Sequence, residues 1–283
     1  MVSTPDASLR LTALLFTPGS RPERFAKAGA SGADGIIVDL EDAVPVSDKA
    51  RTRTEVVEYF RREGRIGPAG FVNAIRVNPI GSEAGKADLD AIHAAKLKPD
   101  VVVLPKVQSA VEVQLAANLV SNRTKLICLI ETVAGVQNVR EIAAASSYVV
   151  ALGFGGYDLS AETGGEAVWD ALLWPRTKLV HACASAGILA LDQPFIDLKN
   201  ENGLSAECAR VRTLGFAGKL AIHPAQCPFI SAGFQPSDAQ LQRAQRIVTA
   251  FEAAGGHVAN IDGQMIDVPM YRSAQFVLRR AGR

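Results

Sequence analysis

Eight short apolar runs, most of them rich in β-branched residues, recur along the chain: Ala13 to Phe16, Gly35 to Leu40, Phe71 to Val77, Val101 to Leu104, Leu126 to Ile130, Tyr148 to Leu152, Ile188 to Leu191 and Lys219 to Ile222. Each has the length of a strand, and each pair is separated by enough chain for a helix. This alternation predicts eight parallel strands closed into a (β/α)8, or TIM, barrel. Such a barrel places its active site at the C-terminal ends of the strands. Polar residues gather at those ends. Glu41-Asp42, Asn78, Lys106, Glu131, Asp158 and His223 follow the second to sixth and the eighth runs, and Arg76 lies inside the third. A ring of polar chemistry around one mouth points to an enzyme.

The intervening segments carry helix signals. Ser20, with Pro22 in the first turn, predicts a helix cap before a helix reaching Ala33. Val56, Val57 and Phe60 are spaced for a helix from about Ser47 to Glu63. Ser109 with Glu112 reads as a capping box. Further helices are expected near Gly135 to Ala145 and Ala171 to Ala186, and Gly155 to Trp169 reads as a long, glycine-rich, functional or mobile loop. Beyond the eighth run the pattern predicts a helix from Ala239, a turn or small hairpin over Asn260 to Pro269, and a last helix from Met270 to Arg280. The expected division is a barrel over residues 1–235 and an extension over 236–283, serving as oligomer arm or active-site lid.

At 283 residues the chain holds one barrel of roughly 250 residues with that appendage. Apolar content of 48% supplies a large core and argues against disorder. A net charge of +1 gives no general attraction to nucleic acid or anionic membranes, so anions must be held by local groups. Met1 to Arg10 has no basic-then-apolar leader pattern, and no apolar stretch approaches the ~20 residues of a membrane span. The four cysteines show no C-x-x-C spacing, and the expected setting is the reducing cytoplasm.

Glu131 ends the fifth run and Asp158 follows the sixth. Two hard oxygen donors with room for water and substrate suit Mg2+ or Mn2+; the alternative is that each caps a helix or pairs with a cation. The planar fork of Arg76 suits a substrate carboxylate or an ion pair with Asp39, Glu41 or Asp42. Alternation sends Asp39 and Glu41 to one side, and three such close carboxylates need cationic or metal partners if buried. Glu41 and Asp42 are expected to orient Arg76 and metal-bound waters. Lys106 reads either as a Schiff-base nucleophile or, at the rim, as the partner of a carboxylate.

Phe16-Thr-Pro-Gly-Ser, Val38-Asp-Leu-Glu-Asp-Ala-Val, Arg76-Val-Asn-Pro, Leu104-Pro-Lys, Ile130-Glu-Thr and Gly155-Gly-Tyr-Asp-Leu together resemble the citrate lyase β-subunit-like proteins, acyl-CoA carbon–carbon lyases of the HpcH/HpaI aldolase superfamily. The resemblance spans nearly the whole chain in motif order. It implies Mg2+ on Glu131 and Asp158, and Arg76 on the substrate carboxylate or keto oxygen. Thr17, Pro18, Gly19, Arg21 and Lys49 would then lie near the CoA or acyl-carrier arm. Gly263-Gln-Met-Ile-Asp-Val-Pro resembles the tail that carries a catalytic aspartate into a neighbouring subunit's site, here Asp267, and it implies a trimer or two stacked trimers. Tyr157 and Ala161-Glu-Thr depart from the family pattern beside the metal. The expected reaction is cleavage of a malyl-, citramalyl- or citryl-type CoA thioester into an acyl-CoA and a 2-oxo acid. The alternatives are a CoA-independent 2-keto acid aldolase and a citrate lyase β subunit that works only with an acyl-carrier protein in a complex.

Overall fold

The structure, a computed structural model, describes residues 9–280. The absence of a leader was read from Met1 to Arg10, of which residues 1–8 lie outside the described residues. The chain divides into two compact units, one ending at Gly233 and the other beginning at Phe234.

The first unit is a closed barrel of eight parallel strands in chain order: β1 (Ala13–Pro18), β2 (Gly35–Asp39), β3 (Val72–Arg76), β4 (Val101–Leu104), β5 (Lys125–Ile130), β6 (Val149–Phe154), β7 (Leu189–Asp192) and β8 (Gly218–Ala221). All eight strands coincide with the apolar runs to within a residue or two. The run boundaries are sharp because alternate residues fill the barrel interior while their neighbours pack under helices, so both faces exclude water. Leu14, Ile37, Ala74, Val103, Ile127, Ala151, Leu191 and Leu220 belong to one buried interior cluster.

The helices of this unit are α1 (Phe25–Gly29), α2 (Lys49–Glu63), α3 (Glu83–Ala94), α4 (Ala110–Leu119), α5 (Val133–Gln137), α6 (Val139–Ala143), α7 (Gly156–Thr163), α8 (Trp169–Ala186), α9 (Glu201–Leu214) and α10 (Cys227–Phe234). Four local expectations are corrected. Ser20 caps nothing; a 3-10 turn over Pro22–Arg24 precedes a short α1, and its flanking residue is Arg21. The Ser109 hydroxyl accepts the Glu112 N–H, but the Glu112 carboxylate takes the Gln108 N–H, so the capping box is not reciprocal. The helix expected over Gly135 to Ala145 breaks at Asn138, between α5 and α6. The glycine-rich stretch after β6 contains a helix, α7.

A buried charge cluster lies outside the barrel wall. Leu191 and Leu220 face the interior, so alternation turns Asp192 and Lys219 towards the helices. Arg176 on α8 meets Asp192 at 2.9 Å, and Lys219 meets both Asp192 and Glu207 of α9 at 2.5 Å. Burial alone would raise the Asp192 pKa, but Lys219 and Arg176 hold it below its ordinary value. All four cysteines are free and buried.

The second unit contains α11 (Asp238–Ala253), an antiparallel hairpin of β9 (Ala259–Ile261) and β10 (Gln264–Ile266), and α12 (Val268–Arg280). Asp262 and Gly263 both take positive φ, as the tight two-residue hairpin turn requires. Ile247, Val248, Phe251, Ile266 and Leu278 form its core, with Tyr271 stacked on Phe251 at 4.6 Å. No helix among the described residues is long and apolar enough to cross a membrane.

Candidate active site

The strand register builds the site. Asp39 and Arg76 are direct ladder neighbours on β2 and β3, and both point inward. Arg76 Nε and Nη2 donate to the two oxygens of Asp39, each at 2.7 Å, a bidentate pair. Nη1 lies 2.8 Å from Glu41 Oε2 and 3.5 Å from Asp42 Oδ2. The guanidinium also stacks on the Phe16 ring, 4.6 Å from its centre. Burial alone would lower the pKa of Arg76, but Asp39, Glu41 and Asp42 hold it above its ordinary value. Glu41 keeps one orphan: its Oε2, although close to Arg76, has no aligned hydrogen-bond donor.

Lys106 and Glu131 form the other half. Lys106 takes a left-handed backbone, φ +50, unusual for a residue with a side chain. In that conformation its N–H donates to Glu131 Oε1 at 2.7 Å, while its ammonium reaches Glu41 at 2.5 Å and lies 3.9 Å from Asp158. Lys106 is thus a carboxylate partner, the second of its two readings. Glu131 is buried, and desolvation, reinforced by the Glu41 and Asp158 charges, pushes its pKa up to about 7. A Cβ at Gly155 would lie 2.3 Å from Glu131 Cβ, so only glycine lets the β6 tip pass this carboxylate.

A cavity of about 410 Å³ is lined by the charged Asp39, Asp42, Arg76, Glu131 and Asp158 and by neutral groups that include Phe16, Phe154, Gln193 and Leu220. Five carboxylates (Asp39, Glu41, Asp42, Glu131, Asp158) face two cations (Arg76, Lys106), a formal surplus of three negative charges. That surplus, the orphaned Glu41 oxygen and the raised Glu131 pKa fit a site for a divalent cation. Among the described residues no group of three or more His, Cys, Asp or Glu side chains is arranged to hold one. Glu131 and Asp158 are an oxygen pair that could hold a hard ion that keeps its waters.

The remaining expected residues fall into three places. Thr17 and Pro18 line a second cavity of about 360 Å³ together with Arg24, Lys27 and His223; Phe16, Pro18 and Ile222 are common to both cavities. The Gly19 N–H bonds to Asp39 O at 2.8 Å, where a Cβ would strike that same oxygen. Arg21 is exposed, 3.8 Å from Glu23. The Lys49 ammonium is engaged by the carbonyls of Leu40 and Glu41 and by Asn78, so it clamps the end of β2. Asp267 belongs to the second unit, where its carboxylate accepts the Met270 N–H at 3.1 Å and caps α12. His223 Nδ1 accepts from Ala225 N–H at 3.2 Å, the positioning role of a strand-end histidine. Arg24, Lys27 and Gln193 were not singled out from the sequence. Alternation from Leu189 through Leu191 would have found Gln193.

Known proteins resemble this chain over most of its length. The family model HpcH/HpaI aldolase/citrate lyase matches residues 12–224. The L-malyl-CoA/beta-methylmalyl-CoA lyase of Cereibacter sphaeroides (strain ATCC 17025 / ATH 2.4.3) is 33% identical, over 94% of this chain and 93% of its own. The citrate lyase subunit beta of Leuconostoc mesenteroides subsp. cremoris is 31% identical, over 95% of this chain and 92% of its own. The crystal structure of protein CitE from Mycobacterium tuberculosis in complex with magnesium, acetoacetate and coenzyme A superposes with a TM-score of 0.81 at 33% identity, over 96% of this chain and 98% of that one. A barrel with a carboxylate-rich mouth, matched over most of its length, belongs to the HpcH/HpaI aldolase/citrate lyase family, and the chain is a carbon–carbon lyase.

Proposed function

We propose that the chain cleaves a 3-hydroxy-3-carboxyacyl-CoA thioester of the malyl, citramalyl or citryl type into an acyl-CoA and a 2-oxo acid, with Mg2+ held by Glu131 and Asp158. The carrying observation is the surplus of carboxylates beside Arg76 in a cavity that adjoins a second one edged by Arg24 and Lys27. An anionic substrate cannot enter that surplus unaided. Mg2+ would supply Lewis acidity and a template for the hydroxyl and carboxylate oxygens, worth several kcal/mol of charge stabilisation.

The protein's own groups do the rest. Arg76, fixed by Asp39 and Glu41, offers its remaining edge to the substrate carboxylate or keto oxygen. Lys106 holds Glu41 and, through its main chain, Glu131. The Arg24–Lys27 cavity, with Thr17 and Pro18, suits the phosphate-bearing arm of the thioester. In cleavage the hydroxyl proton passes to water, the C–O bond becomes C=O, and the electron pair of the C–C bond passes to the thioester as an enolate. Asp267, brought by a neighbouring copy in a trimer or a pair of trimers, protonates the enolate carbon; in the condensing direction it removes that proton.

The test is incubation of the purified protein with Mg2+ and a panel of such thioesters, following free 2-oxo acid, with an EDTA control. Metal-dependent release of glyoxylate, pyruvate or oxaloacetate is expected, and the acid released names the substrate. Aldol activity on free 2-oxo acids without any thioester cleavage would refute the CoA assignment.

A further inference from the structure

The two walls of the cavity differ in kind. Charges come from the ends of β2, β3 and β5 and from Asp158 on α7; the ends of β7 and β8 carry the neutral groups Gln193, Pro194, Leu220 and Ile222, with Gln193 just past the end of β7. Gln193 is 97% buried, and its Oε1 accepts the Gly156 N–H at 2.7 Å. That bond fixes the amide. It also supplies the cap that α7 lacks from its own flanking residue, Gly155, and α7 carries Asp158. A Cβ at Gly156 would lie 2.3 Å from Gln193 Oε1, so the contact is built for glycine on one side and an amide on the other.

The other half of the amide is unused. Gln193 Nε2 has no partner among the described residues, and it is not among the enclosed unsatisfied atoms, so it is open to the cavity. An oriented neutral donor with no protein acceptor is matched to a ligand oxygen. Its position decides which. Phe16, Pro18 and Ile222, on β1 and just past β8, join the main cavity to the Arg24–Lys27 cavity. β7 stands between β8 and β6, so a thioester extended from that wall to the carboxylates of β5 and α7 lies beside Gln193. A neutral donor there adds no charge in the ground state, yet stabilises an oxygen that becomes negative.

We propose that Gln193 Nε2 donates a hydrogen bond to the thioester oxygen and stabilises the enolate formed when the carbon–carbon bond breaks. The inference rests on the CoA-thioester reading above. Removing one such donor typically costs roughly 100-fold to 1,000-fold in kcat. Because the bond strengthens in the transition state, kcat and kcat/KM fall together and KM stays close to the parent's.

Two variants separate the donor from the cap. Gln193→Met is neutral and of similar length, and it removes both donor and strong acceptor. Gln193→Glu keeps an acceptor for the Gly156 N–H and removes the donor. Steady-state kinetics on the thioester cleaved by the parent, with the Mg2+ activation constant and thermal unfolding measured alongside, should show both variants folded and both slowed roughly 100-fold in kcat. Gln193→Glu should bind Mg2+ no more weakly than the parent. If Gln193→Glu turns over like the parent while only Gln193→Met is slow, the residue acts as a cap and the donor assignment is wrong. A rise in KM at unchanged kcat in both variants would also overturn it, since that is a ground-state contact. A parent that cleaves no thioester removes the CoA reading and this inference with it; an active parent with unaffected variants removes the inference alone.

Discussion

Two buried charge clusters share one barrel wall, one inside it and one outside, and they are built to opposite rules. Outside, Arg176 and Lys219 face Asp192 and Glu207: two cations, two anions, in close contact, with Arg176, Lys219 and Asp192 buried. Inside, two cations face five carboxylates, and Asp158 is 46% exposed to the cavity. The balanced cluster is complete as it stands. The unbalanced one holds surplus charge that the fold alone does not neutralise, and the surplus is directed at the space where a substrate would sit. The first fits a role in stability, the second the proposed chemistry.

The sharpest way to break that comparison is to remove one anion from the inner cluster. Glu131→Gln should abolish turnover, with a loss above about 1,000-fold, while the melting temperature stays level or rises, because a desolvated charge is removed. Kinetics and calorimetry on one preparation would check both halves. The opposite substitution is Lys219→Met, which leaves Asp192 and Glu207 short of a cation. It should cost about 3–5 kcal/mol in denaturant unfolding yet leave kcat within a few-fold below the transition. A Lys219→Met protein as stable as the parent would mean the outer cluster contributes nothing.

Acid should separate the clusters as well. Asp192 titrates below its ordinary value when folded, so its pairing stabilises the native state above the ordinary carboxylate range. That contribution is lost as pH falls from about 4 towards the folded pKa, and the dependence should vanish in Asp192→Asn, as unfolding curves at several pH values would show. Gly155→Ala places a methyl 2.3 Å from Glu131 Cβ and should lower kcat by roughly 10–100-fold with only a modest loss of stability. The smallest effect concerns Lys106. With φ at +50, Lys106→Gly should be more stable than Lys106→Ala by about 1 kcal/mol, both having lost the ammonium and kept the N–H on Glu131.

The barrel was legible because its signal is local. A strand that is dry on both faces writes four to seven mostly apolar letters in a row, and eight such words leave few architectures. The charged ring was legible for the same reason, since Glu41, Lys106, Glu131 and Asp158 each stand immediately after such a run or shortly beyond it. What stayed hidden is non-local. Arg176, Asp192, Glu207 and Lys219 come from four separate elements, and no window of sequence contains their pairing. Helix α7 was hidden because its two leading glycines argue for a loop, and the group that caps it lies 37 residues away, on Gln193. Lys49 showed only a positive charge at a helix start, with nothing to say that its ammonium would be spent on the carbonyls at the end of β2.

The four cysteines give the chain its own clock. All are buried and free in the barrel unit, and burial pushes their thiols above the ordinary range, so a labelling reagent reaches them only when β5, α8, α9 or the start of α10 opens. The second unit has no cysteine. Labelling rates of the unmodified protein therefore time the breathing of the second half of the barrel, one element per thiol, and report on no thiol in the second unit.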